Sequence, residues 1–261
     1  MQQTIARSAE LSGVALHSGQ TAKIKLSPAE EDYGIKFIKG GQEISASLGN
    51  LVSTKRGTSL KGISVTEHLL AAIYGLGIDN VKIEVEGKEI PNLDGSSLPF
   101  VQALKQAGSI EQKAEKNYFR VKAPIKVADN NASLEALPYN GFRIDFMVNF
   151  PSVGEQKIRF ELGQNDFSSE IAPARTFGYI EEHEALKKAG LGRGATEQNV
   201  LILSQKGYVN QPRFTDEPVR HKVLDLIGDL ALLGQPILGH FKAVKSGHKL
   251  NTELMRRLKL S

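Results

Sequence analysis

Residues 217–233, EPVRHKVLDLIGDLALL, constrain this chain more than any other stretch. His221, Asp225 and Asp229 recur at i, i+4 and i+8, which places them in one line along a helix. Val223, Leu224, Leu226, Ile227 and Leu230 take up most of the remaining circumference. A helix with so wide an apolar surface must be buried on several sides. Three ionisable groups cannot enter a core without partners, so the polar line has to face a charged neighbour, a cavity or a metal ion.

The rest of the composition narrows the choice. The chain has 261 residues, 40% of them hydrophobic and 24% charged, enough for one large domain or two of modest size. There is no cysteine, so a metal site would have to be built from His, Asp or Glu. The formal charge of +4 is spread along the chain without basic blocks or interleaved aromatics, which argues against a nucleic-acid partner and suits an anionic small molecule. The start of the chain has no apolar segment of the signal-peptide kind, and no apolar run is long enough to cross a bilayer. A cytoplasmic monomer is expected.

Alternating and β-branched runs predict strands at 21–26, 34–38, 80–85, 119–127, 133–137 and 142–150. Helical spacing predicts helices at 66–74, 99–106, 180–188 and 217–233. This is an α+β pattern, with the order strands, helix, strand, helix met twice. The polar stretch 108–117, GSIEQKAEKN, reads as a linker, giving domains at 1–112 and 113–261. Residues 162–170 read as a surface loop or short helix.

The predicted helix at 66–74 starts at Thr66 as N-cap and carries Glu67 and His68 in its first turn. A carboxylate there is also explained by the helix dipole. His221 and Asp225, one turn apart, make a two-ligand clamp for zinc, whose catalytic sites take three protein ligands and leave the fourth place open. His68 is the natural third ligand, because Glu67 would then stand beside the bound water as a base. An i,i+4 His–Asp hydrogen bond that serves stability is the alternative. His248 follows Ser246-Gly247 at the end of a strand-like run, where it could enter a site or stay on the surface. Thr176 and Phe177 lie in a loop, PARTFG, that could line a pocket or simply pack.

The stretches SGVALHSG, TEHLLAAIYGLGIDN, EIPNLDGSSLPF, ARTFGYIEE, DEPVRHKVLDLIGDLALLG and FKAVKSGHKLN together resemble, in order and spacing, the motifs of the UDP-3-O-acyl-N-acetylglucosamine deacetylase family, LpxC. The resemblance covers nearly the whole chain. It implies two domains of similar topology, each a β-sheet packed against helices, with the active site between them. It also implies a zinc-dependent amidohydrolase that removes the 2-acetamido group of an acylated UDP-linked amino sugar, the committed step of lipid A synthesis. His68, His221 and Asp225 match the metal ligands, with zinc or ferrous iron as the ion, and Glu67 matches the general base. Thr176, Lys222, Asp229 and His248 match further catalytic groups.

By the same similarity Phe177 contacts substrate, Phe150 stacks on uracil, Lys245 meets the diphosphate, and His17 lies near the sugar or phosphates. An insert near 178–194 would form the passage for the acyl chain. The chain departs from the family pattern at Val65-Thr66, where the order is usually reversed, and at Ala15, where glycine is usual. It departs again at Ala132-Ser133, a region where a basic residue commonly holds the nucleotide. Two other readings use the same residues: an amidohydrolase for a different N-acyl sugar, or a non-catalytic binder of acylated sugar nucleotides. The intact Glu67 argues against the second.

Overall fold

The computed structural model describes residues 1–261. It contains two principal sheets, each packed on helices. The first sheet orders its strands Ala9–Val14, Thr21–Pro28, Val81–Glu86, Ile35–Lys39, Gln42–Ser45. The second orders them Ile125–Asp129, Ala132–Leu137, Ile237–Val244, Phe142–Phe150, Gly154–Glu161. In both, two antiparallel hairpins come first in sequence, and the final strand inserts between them, antiparallel to one neighbour and parallel to the other. A parallel neighbour requires a crossover. The helices Glu67–Gly75 and Glu217–Leu230 supply it, and Leu98–Ala107 and His248–Leu258 follow the inserted strands. The same topology built twice is the α+β arrangement that the sequence led us to expect.

Alternation decides which side of each sheet is buried. Val81, Ile83 and Val85 point inward from the inserted strand of the first sheet, and Phe142, Ile144, Phe146 and Val148 from the strand that runs parallel to the inserted one in the second. The other faces carry complementary charges: Lys25 stands opposite Glu84, Lys242 opposite Glu135 and Asp145, and Asp145 opposite Arg159. Such cross-strand pairs stabilise a solvated face. The two crossover helices, one from each half, pack directly on one another. A Cβ on Gly228 would overlap the Glu67 carbonyl oxygen, so only glycine permits their approach.

Several elements differ from expectation. The strand predicted at 119–127 is two strands: Phe119–Arg120, parallel to Ile237–Leu238, and Ile125–Asp129. Pro124 lies between them and lacks the N–H a ladder needs. Residues 180–188 divide into a 3-10 turn and the helix His183–Lys188, and the long helix tightens to 3-10 geometry over Ala231–Leu233. Thr66 does not cap its helix; its hydroxyl donates to the Thr58 carbonyl at 3.1 Å. The stretch 108–117 is pinned along the first half, since Ser109–Glu111 pairs with Gln3–Ile5 and the Gln112 side chain donates to the Ala29 carbonyl. The helix His248–Leu258 was not expected, although Leu250, Leu254, Met255 and Leu258 recur at helical spacing. A short helix, Phe167–Glu170, falls within 162–170.

Candidate metal and catalytic site

Where the two crossover helices meet, the polar line of the second faces the first turn of the other. His68, His221 and Asp225, all buried, bring one ligand atom each to within 4.8 Å of one another. Nε2 of His221 lies 3.3 Å and Nε2 of His68 3.8 Å from Asp225 Oδ1. The two imidazoles meet edge to face, centroids 5.0 Å apart. The Ala174 carbonyl, 3.1 Å from His221 Nδ1, fixes the tautomer and leaves the Nε2 lone pair free. Lys222 Nζ donates to Asp225 Oδ2 at 2.8 Å. Asp225 Oδ1 is buried with no hydrogen-bond partner. A buried carboxylate oxygen is costly unless something positive meets it, and here it faces two imidazole nitrogens.

Burial is the largest influence on His68, followed by neighbouring His221, and its pKa falls to about 3. Burial lowers His221 as well. Both rings are therefore neutral lone-pair donors at ordinary pH. For Asp225 burial works against the charge, but its neighbours, among them the Lys222 ammonium and the charged His248, outweigh it and hold the carboxyl well below its usual range. A set of two neutral imidazoles and one carboxylate is a donor set that suits a divalent transition-metal ion.

Glu67 sits beside this trio. Its Oε2 accepts from the Thr58 backbone N–H at 2.9 Å, and burial pushes the carboxyl up to about 7. Gly57, at φ 137°, passes so close that a Cβ there would come within 2.8 Å of Glu67 Oε1. His248, the first residue of its helix, turns inward: Nδ1 is 2.8 Å from Asp229 Oδ2, and Nε2 is 3.9 Å from Glu67 Oε1. Burial opposes charge on His248, but Asp229 and Asp225 overcome it and raise the pKa to about 10. Asp229 also accepts from Thr58 Oγ1 and from Asn251 Nδ2.

The cleft leading from these groups is lined by Thr176, Phe177, Phe150 and His17, and by Leu16, Leu186 and Val200. Phe177 stands edge-on to His221 with centroids 5.9 Å apart, and Phe150 stands edge-on to Phe177 at 5.2 Å. His17 Nε2 is 3.0 Å from the Arg56 carbonyl. Lys245 is not among the residues lining the cleft; it follows the strand Ile237–Val244 with φ 51°. The insert is larger than expected: the strands Phe177–Tyr179, Leu201–Ser204 and Gly207–Tyr208 form a small sheet beside the helix His183–Lys188. Sequence reasoning missed Thr58, Asn251 and the Ala174 carbonyl. Thr58 meets Asp229 from 171 residues away, and no local pattern announces such a contact.

Comparison with known proteins agrees with this picture. The sequence pattern of the UDP-3-O-acyl N-acetylglycosamine deacetylase family, LpxC, matches residues 2–259. A UDP-3-O-acyl-N-acetylglucosamine deacetylase from Anaeromyxobacter sp. (strain Fw109-5) is 40% identical over 267 residues, spanning 98% of this chain and 88% of the relative. Proteins of the same name from Geobacter sp. (strain M21) and Solibacter usitatus (strain Ellin6076) are 39% and 40% identical, each covering 98% of this chain and 89% and 90% of their own lengths. On a match that runs almost from end to end, the chain belongs to the UDP-3-O-acyl N-acetylglycosamine deacetylase family.

Proposed function

We propose that the chain is a zinc-dependent deacetylase that hydrolyses the 2-acetamido group of UDP-3-O-acyl-N-acetylglucosamine to the free amine and acetate, the committed step of lipid A synthesis. The observation that carries this reading is the orphaned Asp225 Oδ1 facing two neutral imidazoles. Ligand atoms held at about 2.0–2.1 Å in tetrahedral geometry stand about 3.3 Å apart, and His221 Nε2 and Asp225 Oδ1 are 3.3 Å apart. The donor set fits zinc, and ferrous iron suits the same donors. When bound, the ion supplies Lewis-acid chemistry, acidifying a water and polarising the acetamide carbonyl.

The remaining steps fall to side chains. Glu67 takes the proton of the attacking water as its oxygen adds to the carbonyl carbon. The Thr176 hydroxyl donates to the oxyanion that develops, and Lys222 adds positive field. His248 is kept charged by Asp229. It gives its Nε2 proton to the sugar nitrogen as the C–N bond breaks, leaving amine and acetate. Phe177 and Phe150 contact the substrate's sugar and base, His17 and Lys245 its sugar–diphosphate part, and the apolar wall of the insert its acyl chain. The site draws on two domains, 1–112 and 113–261, the first giving Glu67, His68 and His17 and the second the other groups. No helix is long and apolar enough to cross a membrane. We assign the reaction to the cytoplasm, where nucleotide-activated sugars are made, and to a monomer.

Acetate release from UDP-3-O-acyl-N-acetylglucosamine, measured before and after chelation with metals returned one at a time, tests the proposal. Loss on chelation and recovery with zinc or ferrous iron is expected. Turnover indifferent to the chelator, or confined to N-acetylated sugars without UDP, would overturn it.

A further inference from the structure

We infer that the buried ion pair of Arg175 and Glu217 is a positioning device for His221 that sets the geometry of the metal site; the inference rests on the metal-site reading above. Glu217 is the first residue of the helix that presents His221 one turn later, and its side chain is 0% exposed. Arg175 grips it with Nε on Oε1 at 2.9 Å and Nη2 on Oε2 at 3.2 Å. The backbone N–H of Arg175 donates to the same Oε1 at 2.9 Å, and the backbone N–H of Arg213 donates to Oε2 at 2.6 Å. Nη2 of Arg175 also donates to the Gln211 carbonyl at 2.8 Å.

This grip fixes the residues on both sides of Arg175. On one side the Ala174 carbonyl holds His221 Nδ1. On the other, Thr176 and Phe177 line the cleft, with the Phe177 ring against the His221 ring. One pair thus sets three groups around one ligand.

A buried ion pair is a poor device for stability, since well-packed apolar residues of similar volume often do as well or better. An apolar pair cannot supply the forked, directional grip that holds a main-chain carbonyl in register with an imidazole nitrogen. The partner of a ligand histidine's other nitrogen is what orients the ring and tunes the affinity for metal.

The test uses the full chain with zinc in five forms: the parent, the three ion-pair variants Arg175→Met/Glu217→Leu, Glu217→Gln and Arg175→Lys, and His221→Ala. The readouts are the zinc dissociation constant by competition with a chromophoric chelator, the visible spectrum of the cobalt-substituted protein, and the unfolding temperature. We expect the double variant to fold, at a temperature lowered by the two backbone N–H groups that lose Glu217 as acceptor, while its zinc dissociation constant rises about 10- to 100-fold and the cobalt bands shift. Glu217→Gln should move the same way, and Arg175→Lys, which keeps the charge but not the fork, should not restore the affinity.

A folded double variant with parental zinc affinity and cobalt bands overturns the inference. If the double variant does not fold, the isosteric Glu217→Gln decides by the same criterion, and failure of all three to fold also overturns it, because the pair would then serve the fold. The parent with His221→Ala separates the two readings: zinc affinity that survives this change removes the metal-site assignment itself. Affinity lost with His221→Ala but unmoved by the ion-pair variants removes only the positioning role.

Discussion

Glu67 Oε1 and His248 Nε2 lie 3.9 Å apart, and each holds its proton more tightly than it would in water, for different reasons. Burial raises Glu67 to about 7, whereas for His248 the neighbouring carboxylates overcome burial and raise it to about 10. A base must be unprotonated and an acid protonated, so kcat/KM should rise as Glu67 loses its proton and fall as His248 loses its own. A zinc ion beside Glu67 favours the carboxylate and draws the acidic limb below about 7. Glu67→Gln should lower kcat by about 100- to 10,000-fold and abolish the acidic limb while leaving zinc affinity intact. Acetate release followed across pH, with zinc content measured on the same samples, checks this. An acidic limb that persists in the Glu67→Gln variant would assign it to another group.

Between helices the controlling residue is Gly228. Alanine in an exposed helix interior is more favourable than glycine by about 0.8–1.0 kcal/mol. Here the added methyl would overlap the backbone oxygen of Glu67, which has nowhere to move without carrying Glu67 and His68 along. Gly228→Ala should therefore destabilise by about 1–3 kcal/mol and weaken zinc binding together, as read by urea unfolding and a zinc titration. A stabilised protein with parental zinc affinity would show that the helices are free to separate. The element that carries this contact was also the most legible in the sequence, because an apolar helix with a polar line at i, i+4 and i+8 has few ways to be buried. Glu67 and His68 were legible as a pair in a first turn, and zinc's need for a third ligand pointed to their meeting with that line, a reading that the family resemblance then matched residue by residue. Thr58 and Asn251, which hold Asp229, and the Ala174 carbonyl, which holds His221, carry no periodicity and are brought in by the topology alone. The break at Pro124 was open to view, since proline cannot donate in a ladder, whereas the order of the strands had no local signature.

The doubled topology suggests two bodies that could unfold separately, yet the packing argues otherwise. One cluster of 50 buried residues draws on both sheets and all four major helices. The helix Glu217–Leu230 has only Arg220 and Lys222 outside the buried class, so separating the halves would expose its apolar surface and its carboxylates at once. A single cooperative transition is expected, with equal calorimetric and van't Hoff enthalpies. Because zinc would take His68 from one half and His221 and Asp225 from the other, it binds only when both are folded and must shift the entire transition. At 100 times its dissociation constant, zinc adds about 2.7 kcal/mol, and for a chain of this size that moves Tm by about 5–10 °C. His221→Ala should abolish the shift and keep the single transition. Scanning calorimetry with and without zinc decides between the alternatives. Two resolved transitions, or one in which zinc moves only part of the enthalpy, would mean that the halves fold independently and that the site forms only when they dock.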